Sequence, residues 1–147
     1  MPRREILSAA LLFLSFLAPL AAMGQETMGQ VRELVMKEKK PAVVYLFTPS
    51  CGYCKAMDKS VFSDRDIRRE LAAGTVFVRI NGETAAGAAR ENKIIGYPTT
   101  ILLDDSGNKI IQIPGYIGKK DFKAVLSYLT GRHYRKMSLM EYLKKKG

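Results

Sequence analysis

The spacing of apolar positions changes several times along the chain, and each change marks an element. Met28, Val31, Leu34 and Val35 recur at helical spacing, which predicts a helix over 26–39 that Pro41 stops. Ala42–Phe47 is an unbroken apolar run rich in β-formers, the pattern of a strand buried on both faces. Thr48-Pro49-Ser50 breaks it. A helical pattern then runs from Cys51 to Ala73, with an interruption at Ser63-Asp64 where Asp64 suits the cap of a second segment. Residues 75–80 read as the next strand, ended by Asn81-Gly82, and 84–92 as a short Ala-rich helix. The runs 99–103 and 109–113 flank the turn residues Asp104 to Asn108, which predicts a hairpin. Phe122, Val125, Leu126 and Leu129 share one face of a helix over 119–129, with Gly131 as its terminator, and 138–146 fits a further short helix.

This order is α-β-α-β-α-β-β-α. A helical crossover joins the first two strands, so they should be parallel, and the hairpin adds an antiparallel pair. The expected fold class is α/β, a small mixed sheet with helices on both faces. The 147 residues, 47% hydrophobic, suit one compact domain. Two Cys, six Pro and twelve Gly exclude disulfide-scaffold and collagen-like classes.

The first residues stand apart. Met1 to Glu5 is a short basic start, Ile6 to Ala22 is apolar and uncharged, and Ala22-Met23-Gly24 offers small residues at a cleavage site. This is the anatomy of a secretory signal peptide over 1–24, with an uncleaved membrane anchor as the alternative. A domain over 25–131 follows, in an extracytoplasmic, periplasmic or otherwise secreted setting where a disulfide persists. Residues 132–147 form a basic tail or short helix, with six Lys and Arg against one acid. It reads first as a solvated helix end that aids solubility, and second as an electrostatic contact for anionic lipid or an acidic partner. A nucleic-acid partner is not expected, because basic residues are not interleaved with aromatics on one face.

The candidate chemistry lies in Cys51-Gly52-Tyr53-Cys54, which follows the buried strand and opens a helix. A helix start offers unpaired N–H groups and the positive dipole end, which stabilise a thiolate at the first Cys. Attachment of c-type haem needs His after the second Cys, where Lys55 stands. A zinc site lacks a second ligand pair, with His133 as the lone histidine. A structural disulfide closing so short a loop would be a weak staple. Redox chemistry is the favoured reading, with no metal and no cofactor beyond the Cys pair.

The chain resembles the thioredoxin superfamily, in particular the exported bacterial thioredoxin-related (SoxW-like) proteins. The resemblance rests on Val43 to Lys55 with its C-x-x-C, on Gly96-Tyr97-Pro98-Thr99, and on Pro114-Gly115-Tyr116. It implies a thioredoxin-like fold, a redox-active Cys51–Cys54 disulfide, and a cis Pro98 facing it. Tyr97 and Pro98 would bind the substrate's extended chain. It also implies an enzyme, a thiol–disulfide oxidoreductase that acts on protein thiols and disulfides. Reduction is preferred over oxidation, with a membrane thiol-reductant transporter as the electron source and a monomer as the working form. The alternative is a non-catalytic partner-binding or copper-binding module on the same fold. The chain departs from thioredoxin in three ways. It has Ser50 where Trp precedes the first Cys, Tyr45 where a buried acid lies, and Gly-Tyr between the cysteines. A base for Cys54 would then be water, Tyr45 or a more distant acid such as Glu83.

Overall fold

The computed structural model describes residues 27–146. Helix α1 (Met28–Glu38) opens on a capping box, in which Thr27 and Gln30 satisfy each other's backbone N–H groups. It closes at Lys39 in the left-handed region. Strand β1 (Ala42–Phe47) leads to α2 (Gly52–Met57), which continues through a π-helical turn (Asp58–Phe62). Helix α3 (Arg65–Gly74) starts on Asp64, whose carboxylate accepts from the Asp66 and Ile67 N–H groups at 3.1 and 3.2 Å. Strand β2 (Val76–Asn81), helix α4 (Ala86–Glu91), strands β3 (Thr99–Leu103) and β4 (Lys109–Pro114), and helices α5 (Lys119–Thr130) and α6 (Leu139–Lys146) complete the order.

The sheet runs β2-β1-β3-β4, with β1 parallel to β2 and antiparallel to β3. Alternation along β1 divides the core. Val43 and Tyr45 face α2, α3 and α5, while Ala42, Val44 and Leu46 face α1 and α4. This explains why β1 is apolar throughout, since helices cover both of its faces. On β3 the Thr100 hydroxyl is fully buried and has no hydrogen-bond partner.

α5 ends at Thr130 with Gly131 as its C-cap, as expected, at φ −74°. The left-handed residue is the next one, Arg132 at φ 54°, whose N–H donates to the Leu129 carbonyl at 3.0 Å. The basic C-terminal segment forms a short helix whose lysines are exposed and whose apolar side is packed. Leu139 and Tyr142 of α6 pack into the same core as Tyr128 and Leu129. Asp105, in the hairpin turn, binds Arg132 at 2.8 Å, Arg135 at 2.5 Å and the Tyr134 hydroxyl at 3.1 Å. The proposed signal segment lies outside the described residues, and among the described residues no helix is long and apolar enough to cross a membrane.

Candidate active site

β1 ends at Phe47, and the loop Thr48–Ser50 carries the chain to Cys51, which caps α2 in an extended conformation. The Cys54 N–H donates to the Cys51 sulfur at 3.1 Å. The first turn of a helix has N–H groups without intrahelical acceptors, and here the Cys51 side chain takes one of them. Cys51 is half-buried, whereas Cys54 is 1% exposed. The two are joined in a disulfide with Cα atoms 5.2 Å apart. Cys51 is therefore the member of the pair that reaches solvent, and Cys54 is enclosed.

Behind Cys54 lies Tyr45, whose hydroxyl donates to the Cys54 carbonyl at 3.5 Å. Burial pushes the Tyr45 phenol up to about 12; the Asp58 carboxylate adds to the rise, and Arg79 opposes it. Tyr45 therefore stays protonated near neutral pH and does not serve as the base for Cys54. Glu83 reaches the loop instead, accepting from the Ser50 hydroxyl at 3.4 Å, beside Cys51.

Asp58 and Arg79 were not singled out by the sequence. Arg79 makes two bonds to Asp58, at 2.7 and 3.1 Å. Its guanidinium lies 5.2 Å from the ring centre of Tyr45, 4.9 Å from that of Phe47 and 5.5 Å from that of Phe62. The available signal is helical spacing, since Asp58 stands four residues after Cys54 and so shares its side of the helix. Nothing in the sequence pairs Asp58 with a residue on β2.

Tyr97 and Pro98 reach the same end of the sheet. Leu46 pairs with Thr99, so Pro98 stands beside the end of β1 from which the Cys loop departs. The Tyr97–Pro98 peptide bond is cis. Pro98 is buried and its carbonyl accepts from the Gly115 N–H at 2.7 Å, which ties the two loops together. Around the disulfide, Tyr53 is 69% exposed and its ring centre lies 6.4 Å from that of Tyr116. His133 lies elsewhere, its ring tilted against that of Tyr142 in the C-terminal packing. Among the described residues no group of three or more His, Cys, Asp or Glu is placed to hold a metal ion.

A disulfide-linked cysteine pair at the join of a buried strand and a helix, one residue half-buried and one enclosed, with a cis proline at the same end of the sheet, is the arrangement of a thioredoxin-type site. Residues 28–130 match the family model for a thioredoxin-like domain. The chain belongs to that family, and its Cys51–Cys54 pair is joined in a disulfide. It is 29% identical over 94 residues to the thiol:disulfide interchange protein DsbD of Yersinia enterocolitica, a match that covers 60% of this chain and 16% of that protein. The chain thus spans less than a fifth of the length of such relatives. Among solved structures, a thioredoxin-fold protein from Helicobacter pylori superposes with a TM-score of 0.67 at 19% identity, covering 74% of this chain and 85% of that one. A thioredoxin from Thermus thermophilus gives 0.60 at 23% identity, covering 68% and 81%.

Proposed function

We propose that this protein is an exported reductant of protein disulfides outside the cytoplasm, working as a monomer and recharged by a membrane thiol-reductant transporter. The observation that carries the reading is the asymmetry of the Cys pair: Cys51 caps α2 and is accessible, while Cys54 is enclosed behind it. In the reduced protein the Cys51 thiolate attacks one sulfur of a partner disulfide and expels the other as a thiolate. Cys54, once deprotonated, attacks the Cys51 sulfur and releases the partner's remaining thiolate. Two electrons have passed to the partner, and the Cys51–Cys54 disulfide is restored. In this reading Tyr97 and Pro98 receive the partner's extended chain, and the cis Tyr97–Pro98 bond at the end of the sheet where the Cys loop begins supports it.

The apolar run Ile6 to Ala22 and the small residues that follow support export. The similarity to proteins named for thiol:disulfide interchange supports exchange with protein partners. Insulin reduction by dithiothreitol tests the reading, because an exchange enzyme accelerates it and a binding module does not. The reduction potential of the Cys51–Cys54 pair tests the direction. A value near that of a cytosolic thioredoxin supports a reductant, and a value near that of a strong periplasmic oxidant overturns it.

A further inference from the structure

A cleft of about 740 Å³ opens between α3 and β2. Its walls follow the periods of their elements, with Arg65, Arg68 and Arg69 on one face of α3 and Phe77 and Arg79 on one face of β2. Phe62 and Leu71 form a floor almost closed to solvent. Arg69 binds Asp66 at 2.9 Å, and Arg79 binds Asp58. Arg65 and Arg68 are exposed and make no ion pair among the described residues. The cleft therefore has an apolar floor and two uncommitted guanidinium groups on its rim.

A second observation meets the first. β2 is an end strand, paired only with β1. The Val76 N–H donates to the Pro41 carbonyl at 2.9 Å, and the Gly82 N–H donates to the Phe47 carbonyl at 2.8 Å. Even-numbered residues of β2 thus turn their N–H groups toward β1. The alternate residues Phe77 and Arg79 turn theirs to the open edge, beside the cleft that their side chains line. An open edge recognises an extended backbone, and the arginine rim selects carboxylates. A second copy of this chain is a poor occupant, since edge-to-edge pairing would bring like charges together on a chain of net charge +10.

We propose that an acidic, extended segment of a partner protein adds to β2 as a fifth strand. Its backbone pairs with Phe77 and Arg79, and its alternate carboxylates reach Arg65 and Arg68. This surface does not include the Cys pair, and the proposal stands whichever way electrons flow there.

The test is fluorescence anisotropy of the full oxidised chain with a labelled heptapeptide of alternating glutamate and valine, at low salt. Saturable binding is expected, weakened at least about tenfold by the double variant Arg65→Glu/Arg68→Glu. N-methylation of the peptide's alternate amides, tried in both registers, should weaken it similarly in one register. The double variant should keep its melting temperature and its rate of insulin reduction, because both side chains are exposed. No binding, or unchanged affinity in the double variant, overturns the proposal. Equal binding of both N-methylated peptides overturns strand addition. Capture by phosphatidylglycerol vesicles that the double variant loses, with no peptide binding, overturns it in favour of a lipid surface.

Discussion

The Tyr97 ring occupies the space that a side chain on Gly82 would fill. A Cβ built at Gly82 would overlap the Tyr97 hydroxyl and the ring atoms behind it. The Gly82 N–H also donates to the Phe47 carbonyl at 2.8 Å, so Gly82 cannot swing away without releasing the end of β2 from the strand that feeds Cys51. Gly82→Ala should therefore displace Tyr97, cost about 1–3 kcal/mol and lower turnover of protein disulfides. In a Tyr97→Ala background the same change should cost much less. A double-mutant cycle on urea midpoints measures the coupling, and additive effects would contradict this contact.

The two cysteines should divide the work. After reduction, Cys51 should alkylate faster than the enclosed Cys54. Cys51→Ser should abolish exchange, and Cys54→Ser should accumulate mixed disulfides with partner proteins. Mass spectrometry of the trapped species identifies the substrates, and trapping by Cys51→Ser instead would reverse the assignment.

Tyr45 should contribute to stability in alkaline solution through its proton. Its phenol is raised from 10.0 to about 12 in the folded protein. A raised pKa favours the protonated fold, so the contribution is full below pH 10 and is lost as pH climbs from 10 to 12. Tyr45→Phe should flatten the fall in stability across that window. It should cost about 1 kcal/mol or less at neutral pH, since the hydroxyl's contact with Cys54 is long at 3.5 Å. The pH profile of exchange between pH 6 and 8 should not change, whereas a shifted profile would make Tyr45 a participant in proton transfer.

Thr100 carries a buried hydroxyl with no partner. Replacing it with an isosteric apolar group removes a desolvated polar atom without opening a cavity. Thr100→Val should be neutral or stabilise by about 1 kcal/mol, read from the urea midpoint. A destabilised variant would indicate a bound water at that hydroxyl.

Local signals made the Cys loop legible. Cys51 and Cys54 sit one helical turn apart after a strand, and Tyr97 and Pro98 open the hairpin, so short windows of sequence contain each half of the site. The Asp58–Arg79 pair was not legible, because 21 residues separate its members and only the β1–β2 register and the π-helical turn bring them together. The docking of the tail was not legible either: its charge dominates its composition, while the apolar residues that pack it, Leu139 and Tyr142 among them, form only a short stretch ahead of the final lysines. Gly131 was legible as the end of α5, but glycine allows the left-handed region without requiring it, and here Arg132 takes that conformation.

The π-helical turn after α2 gives the Cys-bearing helix one residue more than a regular α-helical path would use. In that wider turn the Ser60 hydroxyl donates to the Ala56 carbonyl at 2.7 Å. Its only proton is then committed, so the Tyr116 hydroxyl, 3.0 Å away, must be the donor to Ser60. Through this bridge the spare residue fastens the loop beyond β4 to the helix that carries both sulfurs. Shortening the turn by one residue would regularise the helix, unfasten the loop and shift Val61 and Phe62 in the core, so the length of this segment constrains the rim of the site and the core beneath it together.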